Sequence, residues 1–273
     1  MRIAYLGPPG TFSEEALGKL PVAWKVEGVP FPTIAEACLA AEKGLVDGAL
    51  VPVENSTEGS VSVTLDMLVH EVNLHIRREV VLAVRLVFAV REEESAAGDG
   101  KIVSHPQPLA QCRRYLRQNY PMSAQEGVES TVRAAKLVAE GKAWGAVTTA
   151  AAARNLGLRV LADGIQDYPE NATRFVFLGR EEELPSGDDK TSLVFSLRND
   201  TPGSLCDALL EFAQRGINLT KVESRPEKTV LGRYLFFIDL EGHVQETRVA
   251  ETLVAFRSKT VFWKNLGSYP RQR

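Results

Sequence analysis

Short apolar runs alternate with segments of helical periodicity over the first two thirds of the chain. Thr11 and Glu14 have the spacing of a capping box, which predicts a helix after the first apolar run. Thr33 and Glu36 repeat that spacing before a predicted helix at Ile34–Glu42. This alternation predicts an α/β fold with parallel sheets that are covered by helices. The predicted strands are Arg2–Leu6, Ala49–Val53, Val80–Val90, Lys101–Ser104, Trp144–Val147 and Thr173–Leu178.

Small and polar residues follow several of these strands where a helix is predicted to begin. The segments are Gly7–Ser13, Glu54–Gly59, Ser104–Gln107 and Thr148–Thr149. Ligands of open α/β sheets bind at the carboxyl ends of the strands. Helix N-termini there offer free N–H groups and a positive dipole end. We therefore expect an anionic small molecule to bind in a cleft between two lobes, with Val80–Val90 crossing from one lobe to the other.

A second pattern of strands and helices follows a polar linker at 181–190. Its predicted strands and helices have the order βαββαβ, which is typical of a ferredoxin-like domain. In chain order they are Ser192–Leu197, Pro202–Gln214, Leu219–Ser224, Tyr234–Leu240, Gln245–Phe256 and Thr260–Trp263. The sequence therefore predicts a first domain at 1–180 and a small second domain at 191–273.

The composition favours a folded protein and excludes several classes. The chain has 273 residues, 44% of them hydrophobic, and a formal charge of −3 without the basic stripe of a nucleic-acid-binding protein. Its three cysteines lie far apart without a CxxC motif, so we expect no disulfide framework and no metal site. No apolar run approaches the ~18 residues of a membrane span, and the first run is too short for a signal peptide. We expect a cytoplasmic protein.

Four short motifs, in order along the chain, resemble those of the prephenate dehydratase family. They are Gly7–Ser13, Pro52–Ser56, Ser104–Gln107 and Asn171–Phe175, of which the last is the most specific. The C-terminal part resembles the ACT domain of that family through Leu219–Pro226. One motif departs from the family, whose Gly-Ala-Leu-Leu is replaced here by the segment Gly203–Cys206.

The resemblance implies a monofunctional enzyme of phenylalanine biosynthesis that is feedback-regulated by phenylalanine. It would convert prephenate to phenylpyruvate by decarboxylating dehydration. The implied fold is a two-lobed, periplasmic-binding-protein-like catalytic domain at 1–180, a linker at 181–190 and a ferredoxin-like ACT regulatory domain at 191–273. Because aromatisation drives the reaction, we expect no cofactor. The resemblance also implies a homodimer or homotetramer.

Two residues are the candidates for the chemistry of the cleft. The resemblance identifies Thr173 as catalytic, and we interpret its hydroxyl as a positioned donor to the departing hydroxyl group. His105 has a side chain suited to proton transfer near neutral pH, but it could equally be a turn residue that caps the next helix. The sequence leaves open which side chain delivers the proton.

The predicted substrate-binding residues are mostly neutral hydrogen-bond donors that follow strands. Arg174 could pair with a substrate carboxylate, or form a structural ion pair facing away from Thr173, since side chains alternate along a strand. Phe175 is expected to shape the cleft floor, and Glu54 is expected to be mainly structural. The full set is Thr11, Ser13, Asn55, Ser56, Thr57, Ser104, Gln107, Arg174 and Phe175.

The ACT resemblance implies an effector site for phenylalanine in the second domain. Its walls would be the loop at 199–205 and the entry of the strand that begins at Leu219, while Arg225 could pair with a nearby carboxylate. The alternative is that this domain only dimerises the enzyme. The predicted effector-binding residues are Asn199, Pro202, Gly203, Ser204, Leu205, Asn218, Leu219 and Thr220.

Two other functions remain compatible with the sequence. Arogenate dehydratase performs the same chemistry on the aminated substrate, and a non-catalytic, two-lobed amino-acid or anion binding protein would share the lobed layout. The absence of a helix-turn-helix motif or basic patch argues against a transcriptional sensor. Because phenylalanine is expected to bind in the second domain, a chain that ends near Arg180 is expected to keep some activity and to lose its response to phenylalanine.

Overall fold

The computed structural model describes residues 1–95, 98–199, 201–228 and 233–272. Its strands are β1 (Arg2–Leu6), β2 (Glu27–Phe31), β3 (Gly48–Asn55), β4 (Gly59–Ser60), β5 (His75–Ala83), β6 (Val87–Val90), β7 (Ile102–Ser104), β8 (Gln125–Gly127), β9 (Gly145–Thr148), β10 (Arg159–Asp163), β11 (Ala172–Gly179), β12 (Asp189–Leu197), β13 (Leu219–Pro226), β14 (Tyr234–Glu241) and β15 (Thr260–Pro270). Its α-helices are α1 (Phe12–Leu17), α2 (Ile34–Glu42), α3 (Ser62–Asp66), α4 (Pro106–Gln111), α5 (Arg113–Asn119), α6 (Thr131–Ala139), α7 (Ala150–Asn155), α8 (Ser204–Ala213) and α9 (Thr247–Arg257). A 3₁₀ turn lies at Val22–Trp24 and a π-helix at Met67–Glu71.

The first two thirds of the chain fold into two lobes, each built on one sheet. The first lobe has the strand order β2-β1-β3-β11-β5 with β4 beside β3, and the second has β10-β6-β9-β7-β8. Both sheets are mixed, so the prediction of parallel sheets is wrong: β11 runs antiparallel to β3 and β5, and β6 to β9 and β10. The reason is that β6 and β11 are the strands that each lobe receives from the other. They start at the cleft, where their neighbours end.

The chain crosses between the lobes twice, at 84–86 and at 164–171. The predicted crossing segment Val80–Val90 is present as two strands, β5 and β6, one in each sheet. The two crossings are bonded to each other, because the Val84 N–H donates to Asn171 O at 2.7 Å and the Ile165 N–H donates to Leu86 O at 3.1 Å. The lobes therefore share a narrow double connection beside the cleft.

The two predicted capping boxes have different outcomes. Thr33 caps α2 by accepting the Glu36 N–H at 3.1 Å, as predicted. Thr11 stands at the start of α1 but makes no side-chain cap, and its hydroxyl donates to Leu6 O instead. The Glu14 carboxylate reaches further back, to the N–H of Gly10 at 2.8 Å. The predicted capping box at Thr11 and Glu14 is therefore wrong, and the Thr11 side chain lies at the cleft.

The last third folds into the predicted βαββαβ domain. Its sheet has the order β13-β14-β12-β15, with all neighbouring strands antiparallel. Helices α8 and α9 cover one face of this sheet, where apolar side chains such as Phe195, Phe212 and Phe256 form a core. Strand β12 begins at Asp189, inside the segment predicted as a linker. In the described part of the chain, no helix has the length and hydropathy of a transmembrane span.

The other face of this sheet packs directly on the first lobe. Val194, Leu235, Phe237, Leu266 and Tyr269 from this sheet belong to one buried cluster with residues of β3, β5 and β11. Tyr269 is completely buried. The two domains thus share a hydrophobic core, and the face of β11 that looks away from the cleft is covered by the C-terminal sheet.

Candidate active site

A cavity of about 710 Å³ lies between the two lobes, within the range of small-molecule sites. Predicted residues from both lobes line it. The first lobe contributes Thr11, Ser13, Asn55 and Thr173, and the second contributes His105 and Gln107. The structure also adds lining residues that the sequence did not single out: Phe31, Gln111, Glu129, Ser130 and Thr131. The cleft is therefore closed by residues from both sheets, at the strand ends where the sequence placed it.

The hydroxyl of Thr173 is held by the side-chain amide of Asn55. The two residues are register partners on β11 and β3, and Asn55 Nδ2 donates to Thr173 Oγ1 at 2.9 Å. Three donors fix the amide in this orientation, because Asn55 Oδ1 accepts the N–H of Thr57 (3.0 Å), the N–H of Glu58 (3.2 Å) and the Thr57 hydroxyl (2.7 Å). None of the described residues accepts a hydrogen bond from Thr173 Oγ1, so its own hydrogen can point into the cleft.

A chain of amides joins this pair to the other lobe. Asn55 Nδ2 donates to Asn171 Oδ1 at 3.0 Å, and Asn171 Nδ2 donates to Gln111 Oε1 at 3.1 Å. Gln111 lies on α4 of the second lobe, and its own amide donates to Thr57 Oγ1 at 3.2 Å. Sequence reasoning missed Gln111, although it follows Gln107 by four residues and so shares a helix face with it.

His105 both caps a helix and lines the cleft, which were the two roles that the sequence left open. It is the N-cap residue of α4, where its Nδ1 accepts the Gln107 N–H at 3.3 Å, and its ring also lines the cavity. A backbone donor at Nδ1 places the proton of the neutral ring on Nε2. The cap therefore selects the tautomer in which the other ring nitrogen is a donor.

Two predicted substrate-binding residues lie below the cleft and do not line it. Ser104 is fully buried and donates to Val147 O at 2.6 Å, which ties β7 to β9. Phe175 is also buried and packs with Ile3 and Tyr5 in the core of the first lobe. Ser104 is taken up by its hydrogen bond below the end of β7, whereas Phe175 lies on the same face of β11 as Thr173 but two residues deeper, in the core beneath α1. The predictions of substrate contact for Ser104 and of a cleft floor for Phe175 are corrected.

Ser56 and Thr57 brace the site instead of lining it. The Ser56 hydroxyl accepts the Ala172 N–H at 3.0 Å, at the first residue of β11. Thr57 holds the amide of Asn55, as described above. Both residues therefore fix the positions of Asn55 and β11, and the prediction that they contact the substrate is corrected.

Arg174 does not reach the cleft. Its side chain lies on the opposite face of β11, 15% exposed, where it contacts Asp239 at 2.7 Å and Glu79 at 3.2 Å. Of the two interpretations that the sequence left open, the structural ion pair is correct, and its partner Asp239 belongs to the C-terminal domain. Among the described residues, no lysine or arginine lines the cavity.

The predicted effector residues lie at two separate ends of the C-terminal domain. Gly203 precedes α8 with φ +93°, close to the end of β12, whereas Leu219 pairs with Leu240 at the level of Thr191, near the start of β12. A ten-residue helix separates the two ends, which is about 15 Å. Residue 200 of the predicted loop lies outside the described residues. Within one chain, the two walls do not meet.

Other details of this domain differ from the sequence-based expectation. The Ser204 N–H donates to Thr201 O at 3.1 Å, so it is not free for an effector carboxylate. Arg225 pairs with a carboxylate as predicted, and that carboxylate is Asp66 of the first lobe, at 3.3 Å. The strand β13 is therefore fastened to the catalytic domain.

These features define a two-lobed α/β domain with a cleft of uncharged donors, fastened to a ferredoxin-like domain. Residues 3–183 match the prephenate dehydratase family, and residues 191–257 match the ACT domain. The chain is 40% identical to a prephenate dehydratase of Mycobacterium tuberculosis (strain ATCC 25618 / H37Rv), over 99% of this chain and 87% of that protein. It is also 40% identical to a bifunctional chorismate mutase/prephenate dehydratase of Aquifex aeolicus, over 99% of this chain and 74% of that protein.

A solved structure has the same fold over nearly the whole chain. The crystal structure of prephenate dehydratase from Arthrobacter aurescens, in complex with L-Phe, superposes with a TM-score of 0.91 at 35% identity, covering 99% of this chain and 90% of that one. The chain belongs to the prephenate dehydratase family. The predicted family, the α/β fold class with its C-terminal ACT domain, and the enzyme class are thereby confirmed.

Proposed function

We propose that the interlobe cleft converts prephenate to phenylpyruvate with Thr173 as the hydrogen-bond donor to the departing hydroxyl group. In this reaction the bond from the ring to its carboxylate breaks, and CO₂ leaves. The electron pair enters the ring and expels the ring hydroxyl, which takes up one proton and leaves as water. The products are phenylpyruvate, CO₂ and water, and aromatisation supplies the driving force.

The observation that carries this proposal is the Asn55–Thr173 pair. Because Thr173 Oγ1 accepts from Asn55, its hydrogen is directed to another acceptor, and accepting one hydrogen bond strengthens the one that is donated. A hydroxyl is too weak an acid to give up its proton. Its donor instead stabilises the negative charge that develops on the departing oxygen. The proton itself comes from water or from the imidazolium form of His105, because the N–H of a neutral imidazole is as weak an acid as a hydroxyl.

The anionic groups of the substrate are held without a basic side chain. Thr11, Ser13, Gln107 and Thr131 line the cavity with hydroxyl and amide side chains, and α6, a helix of nine residues, begins at its wall. The first N–H groups of a helix and its dipole favour an anion. Phe31 and the prolines of the wall provide an apolar surface for the ring. The chemistry of these donors suits a carboxylate at each lobe.

The first test is turnover by the purified full chain. We expect phenylpyruvate to form from prephenate without added metal or nucleotide, at a rate that a chelator does not change. The described residues contain no group of three or more potential metal ligands. Parallel assays with arogenate measure the preference between the two substrates. Activity that appears only with an added metal would contradict the cofactor-free mechanism, and binding without turnover would favour the non-catalytic alternative.

Phenylalanine is proposed to inhibit the enzyme from a site between two copies of the C-terminal domain. The solved relative contains L-Phe, and the two predicted walls are at opposite ends of α8 in one chain. A second copy would bring the loop around Gly203 of one chain against Asn218 of the other. This proposal includes the homodimer or homotetramer, in the cytoplasm, that the sequence resemblance implied.

Inhibition and binding are measured together on the full chain. We expect Asn218→Ala to raise the phenylalanine concentration for half-inhibition about tenfold, as for the loss of one hydrogen bond to a charged group. Asn119→Ala is the matched control, because that exposed side chain only donates to Tyr115 O in its own helix. Calorimetry measures binding, and light scattering measures the oligomer. Tight binding by a monomer would contradict the intersubunit site.

A further inference from the structure

A cluster of charges, buried except at Glu54, joins the two domains directly beneath the catalytic pair. It consists of Glu54, Glu79 and Arg174 from the catalytic domain with Lys190, Lys221 and Asp239 from the C-terminal domain, and we call it the interdomain ion cluster. The side chains of Glu79 and Asp239 are only 2% and 6% exposed. None of these charged groups takes part in the proposed reaction, so we looked to the interface between the domains for their role.

Arg174 is the centre of this cluster. Its Nη1 donates to Asp239 Oδ2 at 2.7 Å and its Nη2 to the Tyr269 hydroxyl at 3.0 Å, both in the C-terminal domain. Its Nε lies 3.2 Å from Glu79 Oε2, at an angle that makes an ion pair and no hydrogen bond. Burial lowers the pKa of Arg174, but Tyr269, Asp239 and Glu79 together raise it above the ordinary value, so the guanidinium stays charged.

Two lysines of the C-terminal domain complete the cluster from the other side. Lys190 Nζ donates to both oxygens of Glu79, at 3.1 and 2.8 Å. Lys221 Nζ lies 3.3 Å from Glu54 Oε2 and 3.2 Å from Glu223 Oε2 of its own strand, and it donates to the Ser60 hydroxyl at 2.7 Å. Each cation therefore reaches a carboxylate of the other domain. Removing one partner would leave a buried charge without compensation, so the cluster resists separation of the domains.

The cluster is one residue away from the catalytic pair on both strands. Arg174 follows Thr173 on β11, and Glu54 precedes Asn55 on β3, with Arg174 paired to Glu54 and Thr173 paired to Asn55 in register. Side chains alternate along a strand, so each strand places one residue in the cleft and the next in the cluster. A shift of the cluster must therefore move the backbone that carries Asn55 and Thr173.

We propose that Arg174 is a positioning residue, which holds Thr173 against Asn55 only while the C-terminal sheet is seated on the first lobe. The proposal rests on the catalytic role of Thr173 and extends it to regulation. Lys221 directly follows the predicted effector residues Asn218–Thr220 at the start of β13 and pairs with Glu54. Movement of β13 on effector binding would pull on Glu54 and change the Asn55–Thr173 geometry. Because these charged groups must stay paired, the interface between the domains is expected to switch between discrete arrangements and not to shift gradually.

A pair of lysine variants in the full chain tests the proposal. Lys221 and Lys264 both extend from the C-terminal sheet to the catalytic domain, but Lys264 donates only to the carbonyls of Leu68 and Val72. We expect Lys221→Met to lower kcat about tenfold with little change in KM, the pattern of a lost transition-state interaction. Lys264→Met should keep kcat within about twofold, and Lys221→Arg should restore most of the loss. Equal kcat losses in both methionine variants would overturn the proposal.

Two further measurements separate positioning from general destabilisation. Asp239→Asn keeps the shape of the side chain while removing its charge, and it is expected to lower kcat similarly. In a Thr173→Ala background the same substitution should have no further effect, because positioning acts through the Thr173 hydroxyl. If the two losses multiply, the cluster does not act through Thr173. That result would overturn the positioning role while leaving the proposed reaction intact.

Amide hydrogen exchange needs no substrate and tests the positioning even if the cleft acts on another compound. We expect the amides of residues 172–175 to exchange about tenfold faster in Lys221→Met than in Lys264→Met, since local opening follows the loss of its cluster partner. Unchanged protection in Lys221→Met would contradict the proposal. Absence of turnover in the unaltered chain would instead remove the proposed function, so the two failures are distinguishable.

Discussion

Replacing Thr173 by alanine is expected to lower kcat by about 10²- to 10³-fold, the usual cost of removing one preorganised donor to a developing oxyanion. KM for prephenate should change little, because the donor matters most as the oxygen leaves. The variant should fold normally, since Thr173 is only partly buried at the start of β11. Steady-state kinetics with prephenate and a circular dichroism melt make the two measurements.

Two other variants define the role of the hydroxyl. Thr173→Ser keeps the group that accepts from Asn55 Nδ2 and should keep part of the rate. His105→Ala removes both the cap of α4 and the Nε2 donor, and a larger kcat loss there would give the proton transfer to His105. Near-normal kcat for Thr173→Ala would show that the departing hydroxyl is stabilised by another group.

A chain that ends at Arg180 is expected to lose the stable fold of the catalytic domain. The cut removes Val194, Leu235, Phe237, Leu266 and Tyr269 from the core that both domains share. Burying one such side chain contributes about 1.5–3 kcal/mol, so five of them compare with the about 5–15 kcal/mol that stabilises a whole domain. Arg174 and Glu79 would also lose their partners across the interface.

Solubility, a urea unfolding curve and prephenate turnover of the cut chain measure this effect. A folded, active fragment would show that the catalytic domain is independent, which is the expectation from the sequence pattern alone. Lys264→Met in the full chain is the control, because it removes interdomain hydrogen bonds while leaving the shared core. Because the cut chain is expected to unfold, phenylalanine inhibition is tested with the full chain and its point variants.

Local patterns were sufficient for most elements and for the location of the cleft. Hydrophobic periodicity predicted β1, β3, β7, β9 and β11, the segment that forms β6 with the second half of β5, and the βαββαβ order of the last third, because each depends on residues close in sequence. It missed β2, β4, β8 and β10. The mixed direction of the two sheets was not predictable in this way. It follows from two crossings at 84–86 and 164–171, which decide where β6 and β11 begin.

The residues of the candidate site also fall into those that local sequence patterns predicted and those that depend on contacts distant in sequence. The structure brings to the cavity five predicted residues that lie at an end of a strand or at the start of a helix: Thr11, Ser13, Asn55, Gln107 and Thr173. Gln111 was missed because its position on the face of Gln107, at the last residue of α4, does not by itself distinguish a functional glutamine from a surface one. Its role depends on Asn171, 60 residues away, whose amide donates to it.

By itself, the sequence determined the family, the order of the elements and which neighbouring residues must face opposite ways. Period-two alternation separates Thr173 from Arg174 on any strand, but it does not say which of them faces the substrate. Only the tertiary structure decided this, by packing the C-terminal sheet on one face of β11 and opening the other face to the cleft. The partners of Arg174 are Glu54, Glu79, Asp239 and Tyr269. The hydrogen bonds to Asp239 and Tyr269 join residues that are 65 and 95 positions apart along the chain. A buried guanidinium needs carboxylates around it, and those carboxylates come together only when both domains have folded against each other.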